Sequence, residues 1–471
     1  MILSIDQSTA GTKGLLWNLE GGLIARKDLP HRQIVTPRGW VEHDPVEIYE
    51  NLLSVARDVS RNADIRAIGL SNQRETVVCW DGATGKPLYN AIVWQCARGA
   101  EICERLKDKA DFIRSRTGLP LSPYFSAAKI AWLIENISCK KPCFGTMDSW
   151  LVFKLTGEYK TDFSNASRTQ LLNLDSLTWD EEVCALFGID PETLPEICCS
   201  DSLFGFSNLE GLLPEPIPVN GVMGDSHAAL YANGCHKKNT GKVTYGTGSS
   251  AMINAGAVRP PPVAGVATSL AWGIDGQVHY VLEGNINYSG AVVKWLAEDL
   301  NLLNDPAEAS YCASSVPNTG GVYLIPAFTG LGAPYFDDKV RAAIVGMNLT
   351  TKKNHIVRAA VECIAYQVKD VVDLMLGSVG LQSIRADGGP TGNSFLMQFQ
   401  ADILGFPIEI SKIEELSGAG AAYCAALGAK ITDYDTLFSS RCVKTITPQG
   451  ISEEYYDGWK AAVALVQGGR D

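Results

Sequence analysis

The feature that most constrains the fold is a strand-loop-strand unit that occurs twice, about half a chain apart. The first copy combines short strands at Ile2–Ile5 and Gly14–Trp17 with a polar turn over Asp6–Lys13. The second copy spans Gly241–Asn254 and carries the loop Gly246–Ser250. Apolar strands on either side of a loop of Gly, Ser and Thr are typical of a β-hairpin. The sequence therefore predicts two halves that each begin with a hairpin whose tip is polar.

A second, weaker similarity supports this duplication. The segment Ile65–Leu70 in the first half resembles Ile384–Gly389 in the second, and each passes from an apolar strand into a loop. Coincidence among common strand residues remains the alternative at this point. Between the hairpins, Pro45–Val59 and Ala127–Asn136 show the apolar spacing of helices. Strands that alternate with helices predict an α/β fold.

Length and composition set the number of domains. The chain has 471 residues, of which 46% are hydrophobic and 20% charged, so it has enough apolar residues for a large core. At about 100 to 200 residues per domain, two to four domains are expected, and we start from two. The Pro-rich segment Leu213–Val219 and the polar segment Gly234–Gly241 are the best boundary candidates. A division between Leu230 and Gly241 gives predicted domains 1–235 and 236–471.

Charge and cysteine usage exclude several classes of protein. The 40 Lys and Arg residues against 52 Asp and Glu residues give a net charge of -12, which repels nucleic acid. The N-terminus lacks the basic start and apolar stretch of a signal peptide, and every apolar run is shorter than about 18 residues. The 13 cysteines are odd in number and scattered, as in proteins with reduced thiols. We therefore expect a cytoplasmic protein with neither a nucleic-acid nor a membrane partner.

Four loops next to apolar strands concentrate Gly, Thr, Ser and Asp. They are Asp6–Thr12, Gly224–Asp225, Gly246–Ser249 and Asp387–Asn393. Any one of them is most simply a tight turn, but glycines and hydroxyls also suit the binding of phosphate oxygens. Together they indicate a nucleotide triphosphate.

The type of nucleotide chemistry follows from what these loops contain. The chain has no GxxxxGK[ST] loop and no GxGxxG that closes a βαβ unit, so it predicts neither a Walker-type NTPase nor a Rossmann dehydrogenase. Phosphoryl transfer needs a metal on the phosphates and a base that orients the attacking hydroxyl. The carboxylates of Asp6 and Asp225, each at the end of a strand, suit these two tasks.

Two long segments match the signatures of the FGGY family of carbohydrate kinases. Tyr124–Asn136 matches the first signature, and Ala342–Met347 followed after seven residues by His355–Glu362 matches the second. The chain resembles this family over nearly its whole length. Within the family it resembles the glycerol kinases in five further segments: Gly39–Pro45, Ser71–Thr76, Asn90–Cys96, Thr329–Pro334 and Phe395–Gln400.

This resemblance implies a fold and a set of ATP-site residues. The implied fold is actin-like, with two ribonuclease-H-like domains that close on ATP and substrate in an interdomain cleft. Asp225 matches the catalytic base and Asp6 the carboxylate near Mg²⁺. Lys13 replaces an Arg and keeps only a point charge, and Lys294 stands where the compared member has Gln. The implied nucleotide-binding residues are Thr9, Thr12, Lys13, Thr247, Gly248, Gly290, Lys294, Gly389 and Asn393.

The acceptor pocket is implied in the same way, with two departures from the glycerol kinases. Arg and Glu side chains next to an aromatic wall can bind neighbouring hydroxyls, although Arg74 and Glu75 could equally form a surface ion pair and Trp94 belong to the core. Ser226 replaces a Gln and Ser250 a Phe. The implied substrate-binding residues are Arg74, Glu75, Trp94, Tyr124, Asp225, Ser226 and Ser250.

These departures bear on the substrate. Both replacements are by smaller residues, so the pocket should be enlarged, and we expect a four- or five-carbon polyol or a ketose such as xylulose, with glycerol as the alternative. His227, after Ser226, packs behind the base or contacts substrate. The same architecture also serves chaperones and filaments that hydrolyse ATP without a small-molecule acceptor, so an actin-like ATPase remains the alternative function. A homodimer is left open.

Overall fold

The computed structural model describes residues 1–61, 63–439, 443–450 and 453–468. Its strands are β1 Ile2–Gln7, β2 Gly11–Trp17, β3 Leu23–Pro30, β4 Ile34–Val35, β5 Val41–His43, β6 Ala67–Asn72, β7 Val77–Asp81, β8 Ala91–Ile92, β9 Pro142–Thr146, β10 Lys160–Asp162, β11 Glu196–Cys198, β12 Gly205–Ser207, β13 Ile217–Gly224, β14 Thr240–Tyr245, β15 Ser249–Gly256, β16 Ala267–Ile274, β17 Gln277–Ile286, β18 Tyr323–Ile325, β19 Ala343–Val345, β20 Ser383–Asp387, β21 Ile408–Ser411 and β22 Val443–Ile446.

The α-helices occupy the segments between these strands. They are α1 Pro45–Val59, α2 Ala100–Arg105, α3 Ala110–Thr117, α4 Ser126–Asn136, α5 Met147–Thr156, α6 Phe163–Ala166, α7 Glu181–Leu186, α8 Asp225–Ala232, α9 Gly290–Glu298, α10 Ala309–Ser314, α11 Lys353–Leu376, α12 Ser394–Leu404, α13 Leu416–Gly428, α14 Tyr434–Ser439 and α15 Glu454–Gly468. Within the described residues, no helix has the length and apolar character needed to cross a membrane.

Two large sheets repeat one topology. The first has the order β12-β13-β6-β1-β2-β3 and the second β16-β17-β15-β14-β20-β21-β22. In the first, β3, β2 and β1 are antiparallel, and β6 and β13 continue parallel to β1. In the second, β17, β15 and β14 are antiparallel, and β20 and β21 continue parallel to β14. This repeat confirms the predicted α/β fold class with two ribonuclease-H-like units, and it removes coincidence as an explanation of the sequence similarity.

The helix α13 comes from the second half of the chain but packs on the first sheet, against β13, β6 and β1, and on α8. Glycines make this close approach possible. A Cβ at Gly69 would lie 2.4 Å from the carbonyl oxygen of Ala421, and one at Gly420 would lie 2.0 Å from that of Ala228. Because this helix of the second half packs on the first half, the domain division at 235/236 stays a prediction.

The predicted elements differ from the structure mainly at their ends. Helix α1 spans the predicted residues, and the Asp44 side chain caps it by accepting a hydrogen bond from the Val46 amide at 2.9 Å. The first hairpin is longer than predicted, since backbone pairing continues to Gln7 and resumes at Gly11. Asp6 and Lys13 are therefore opposite partners within the sheet, and the turn shrinks to 8–10.

The remaining differences concern β6 and the boundary candidate. The segment predicted as Ile65–Leu70 forms β6 two residues later. The Pro-rich segment Leu213–Val219 leads directly into β13 of the first sheet, so it is not a boundary. A smaller sheet, of order β4-β5-β8-β7-β9, is formed by segments of the first half that lie between strands of the first large sheet in the sequence.

Candidate active site

Three of the four predicted loops line one cleft of about 550 Å³, and Gly246–Ser249 is not part of this lining. Its lining includes Asp6 at the end of β1, Asp225 at the start of α8, and Gly389 after β20. Gly388, in the loop after β20, lies against Tyr245 at the end of β14 and has a backbone φ of +94°. A Cβ at Gly388 would lie 1.9 Å from the carbonyl oxygen of Tyr245, so only glycine allows the two loops to touch.

Asp6 fits the predicted role of a magnesium ligand. It is 5% exposed, and the Ser71 hydroxyl donates to its Oδ1 at 2.7 Å. Burial raises its pKa to about 6, against the opposing effects of Ser71 and Lys13. Among the described residues, no group of three or more His, Cys, Asp or Glu side chains could form a metal cage. Mg²⁺ often takes one or two carboxylates and completes its shell with water and phosphate oxygens, so one aspartate in a phosphate cleft is sufficient.

The raised pKa of Asp6 predicts that its carboxylate lowers the stability of the folded protein at neutral pH, although activity requires it. Its folded value of about 6 lies above the ordinary 3.8, so the folded state binds the proton more tightly and loses stability as pH rises through this window. The loss at pH 7.5 is about 3 kcal/mol, and about half of it is present at pH 5. Asp6→Asn removes this charge. We expect it to raise the melting temperature of the nucleotide-free protein by about 2 to 6 °C at pH 7.5, less at pH 5, while it abolishes turnover.

Thermal unfolding at the two pH values checks this prediction. Glu298→Gln is the matched control, because the Glu298 side chain is 61% exposed and its loss of charge should not shift the melting temperature. A melting temperature for Asp6→Asn below that of the parent at pH 7.5 would show that the carboxylate does not destabilise the fold.

Lys13 lines the cleft, and its ammonium is paired with carboxylates. Its Nζ donates to Glu415 Oε2 at 2.6 Å and lies 3.8 Å from Asp6 Oδ2, while Arg26 pairs with the other oxygen of Glu415. A different lysine, Lys242, is 2% exposed and lines the same cleft. Within the described part of the chain, no carboxylate lies within 4.0 Å of the Lys242 ammonium. A single lysine in a strand carries no motif, so the sequence did not single it out.

The first two phosphate loops are tied to their surroundings by specific bonds. Thr9 Oγ1 accepts a hydrogen bond from Trp94 Nε1 at 2.9 Å, which links the first loop to the acceptor side. Thr12 is buried, and its hydroxyl has no partner among the described residues. In the second loop, the carbonyl of Thr247, next to Gly248, accepts from the amide of Ala291 at 3.1 Å.

The other predicted nucleotide residues divide into two groups. The Gly290 amide donates to the Gly246 carbonyl at 2.9 Å, and the Asn393 side chain caps α12 by accepting from Leu396 at 3.0 Å. Both therefore shape predicted nucleotide loops, although neither residue lines the cleft. Lys294 lies one turn further along α9, is 66% exposed and pairs with Glu298 at 3.6 Å. The structure brings Lys294 to the surface rather than into the lining of the cleft.

Arg74 and Glu75 follow β6 and are both buried, so the surface ion pair is wrong. Arg74 donates from Nη1 and Nη2 to the two oxygens of Glu283, at 2.9 and 2.8 Å. Its Nε lies 3.4 Å from Asp225 Oδ1. Glu75 Oε1 accepts from Arg168 Nε at 2.6 Å, and its backbone φ is +60°, a conformation that is unfavourable for a glutamate. Backbone strain of this kind clusters at functional sites in proteins.

Glu283 and Arg168 are the site residues that the sequence analysis missed. The side chain of Glu283, on β17, is 0% exposed. Its two arginine partners, Arg74 and Arg168, lie in the first half of the chain. Burial alone raises the pKa of Glu283, but the positive charges of Arg168 and Arg74 outweigh it and hold that pKa well below its usual range. A glutamate between apolar residues of a strand was the available signal, since a buried charge needs a partner.

The aromatic side chains form a wall beside these charges. Trp94 and Tyr124 pack edge to face with ring centroids 5.4 Å apart, and both are half-buried. Lys129 fixes the backbone next to them, because its buried ammonium donates to the carbonyls of 123, 124 and 125 at 2.7, 2.5 and 3.1 Å. Burial lowers the pKa of Lys129 to about 7.

His227 lies behind the base rather than at a surface. It is 0% exposed, and neither ring nitrogen has a hydrogen-bond partner among the residues described. Burial and the charge of Arg74 lower its pKa well below the ordinary value, so the ring is neutral. This placement agrees with the prediction of a histidine that packs behind Asp225. It gives no support to the alternative, a contact with substrate.

Comparison with protein families decides the class of this site. The model of the FGGY family of carbohydrate kinases matches in both parts, the N-terminal domain over residues 1–232 and the C-terminal domain over residues 241–429. The chain belongs to the FGGY family of carbohydrate kinases. It is therefore a phosphotransferase, and the chaperone-type ATPase is not needed to explain the fold.

Individual relatives of this FGGY kinase agree with the assignment. It is 46% identical to glycerol kinase 1 of Thermotoga maritima, over 98% of each chain, and 44% identical to the glycerol kinase of Alkaliphilus oremlandii, over 98% of this chain and 96% of that one. Among solved structures, the glycerol kinase of Plasmodium falciparum with ADP superposes with a TM-score of 0.94 at 36% identity, over 99% of this chain and 98% of that one.

Proposed function

We propose that this FGGY kinase transfers the γ-phosphoryl group of ATP to the terminal hydroxyl of a small polyol or sugar. The observation that carries the proposal is the position of Asp225. Its carboxylate lines the nucleotide cleft and lies 3.4 Å from Arg74, which belongs to the acceptor network. A carboxylate between a phosphate site and a hydroxyl-binding site suits the general base of phosphoryl transfer.

The nucleotide side of the site requires few protein charges. Asp6 would hold Mg²⁺, which when bound neutralises charge on the phosphates. The glycine and threonine loops would bind phosphate oxygens through amides and hydroxyls. Because the whole chain carries a charge of -12, this local arrangement has to supply the attraction for ATP.

The acceptor side provides donors, acceptors and an apolar wall. Asp225 would take the proton of the attacking hydroxyl, while Arg74 holds the carboxylate in place through its Nε. Glu75, fixed by Arg168, would accept from a second hydroxyl of the substrate. Trp94 and Tyr124 would cover the carbon atoms.

The size of the acceptor is the finer part of the proposal. Ser226 and Ser250 are small, and Ser226 lines the cleft next to the base, which favours a four- or five-carbon polyol or a ketose such as xylulose. Glycerol is the alternative, and the relatives named glycerol kinase support it. A cytoplasmic location and a homodimer stay predictions.

Steady-state kinetics with ATP, Mg²⁺ and a panel of acceptors tests the proposal. The panel is glycerol, erythritol, threitol, ribulose and xylulose, and ADP release is followed with and without each compound. We expect at least one acceptor to stimulate turnover by about 100-fold or more, because the base has no hydroxyl to orient in its absence. Turnover that no polyol or sugar changes would contradict the proposal.

A further inference from the structure

A second cavity, of about 590 Å³, lies on the acceptor side of the molecule. Its residues come from both halves of the chain and differ from those of the nucleotide cleft. The first half supplies Tyr124, Phe125 and Arg168, and the second supplies Glu283 and Asn285. We call it the distal cavity.

The distal cavity adjoins the acceptor network rather than a separate part of the surface. Glu283 lines it and is bonded to Arg74, whose Nε lies 3.4 Å from the base Asp225. Arg168 also lines it and holds Glu75. The base Asp225 and the distal cavity are therefore separated by a single ion pair, Arg74–Glu283.

Position 250 controls the space on the strand side. Ser250 and Asn285 are directly opposite in the antiparallel pair of β15 and β17, so their side chains project from the same face of the sheet. Glu283 is on that face too, since the Ser250 hydroxyl donates to its Oε1 at 3.3 Å. A phenylalanine at 250, as in the glycerol kinases that the sequence resembles, would project toward Asn285 and Glu283. The serine leaves this region open.

The lining of the cavity indicates its ligand. Phe125, Val266 and Phe336 supply apolar surface, whereas Ser122 and Asn285 supply neutral donors and acceptors. Both carboxylate oxygens of Glu283 already accept hydrogen bonds from the Arg74 guanidinium. Arg114, which also lines the cavity, donates to the Val263 carbonyl at 2.7 Å. Carbon surface with a few neutral polar groups suits a chain of hydroxylated carbons.

We infer that the distal cavity is an acceptor subsite that binds the hydroxyls beyond the third carbon of a neutral, open-chain polyol or sugar. The inference rests on the proposed function, because it needs phosphoryl transfer to a hydroxyl held at Asp225. It goes further in assigning the extra carbons to a defined set of residues and in predicting that the subsite disfavours glycerol.

Two variants that fill the cavity from opposite sides test this inference. Ser250→Phe adds a ring on the strand side, and Ala264→Trp adds one from an exposed position on the other wall. Val258→Phe is the matched control, because it adds a ring at an exposed position outside the cavity lining. For each protein, kcat/KM is measured for glycerol, erythritol, threitol, ribulose and xylulose, and a melting curve confirms folding.

The informative quantity is the ratio of kcat/KM for the best longer acceptor to that for glycerol. We expect a ratio of about 10 or more in the parent, from contacts that each extra carbon makes. Ser250→Phe and Ala264→Trp should each lower it by about tenfold, and Val258→Phe should change it by less than threefold.

The possible failures are distinguishable. A parent that prefers glycerol, with a ratio that Ser250→Phe and Ala264→Trp leave unchanged, overturns the subsite and leaves the proposed kinase intact. Erythronate is measured beside erythritol, and a preference for this sugar acid over the neutral polyol overturns the assignment of a neutral chain. Absence of transfer to every acceptor overturns the proposed function and the subsite together.

Discussion

Asp225→Asn is expected to lower kcat by about 10³-fold while nucleotide binding stays within about threefold. The amide has the size of the carboxylate but cannot take the proton of the attacking hydroxyl. Local structure should survive, because Asn can still accept the bond that the Ser226 amide gives to Asp225 Oδ1 at 2.6 Å. The helix α8, which begins at this residue, therefore keeps its first turn.

Two measurements separate the base from a structural role for Asp225. Single-turnover kinetics with saturating acceptor gives the chemical step, and calorimetry without acceptor gives the affinity for ATP with Mg²⁺. Ser226→Ala serves as the comparison, since it removes a neighbouring hydroxyl but leaves the carboxylate. A loss of less than tenfold in the chemical step for Asp225→Asn would mean that another group takes the proton.

Glu283→Ala is expected to cause the largest loss of stability of any single substitution at the site. It leaves the guanidinium groups of Arg74 and Arg168 buried without their shared carboxylate, and breaking a buried ion pair in this way costs about 3 to 5 kcal/mol. The melting temperature should fall by about 5 to 10 °C. The KM for the acceptor should rise as well, because Arg74 loses both bonds that orient it.

Thermal unfolding of three proteins checks this expectation. Glu283→Gln keeps the volume and part of the hydrogen bonding, so it should fall between the parent and Glu283→Ala. Glu298→Ala removes a carboxylate from the exposed pair with Lys294 and should melt within about 1 °C of the parent. If Glu283→Ala melted like Glu298→Ala, the buried network would not be a main support of the domain interface.

Local pattern was sufficient to predict the elements that carry the phosphate loops. The apolar runs around 2–17 and 241–254 and the spacing of Pro45–Val59 determine hairpins and a helix through contacts that are close in sequence. The ends were less well predicted, because the extension of β1 to Gln7 depends on pairing with β2 and β6 on both sides. Residues matched to family motifs, such as Asp6 and Asp225, do lie together at the cleft.

Long-range partners could not be predicted from the same patterns. Arg74 and Glu283 are 209 residues apart, and Lys13 and Glu415 are 402 apart. No periodicity connects such pairs, so neither Glu283 nor the partner of Lys13 could be predicted. The packing of α13 on the first sheet was missed for a related reason, since it depends on glycines in both halves that fit only when the halves meet.

The central claim is that the chain couples ATP cleavage to phosphorylation of a terminal hydroxyl held by Asp225 and Arg74. Phosphorus NMR of the reaction with ATP, Mg²⁺ and the acceptor that stimulates turnover most tests it directly. We predict one phosphate ester on a primary carbon of the acceptor for each ADP formed, and a loss of about 10³-fold in its rate of formation for Asp225→Asn. Formation of ADP and inorganic phosphate alone, at a rate that the acceptor does not change, would contradict the claim.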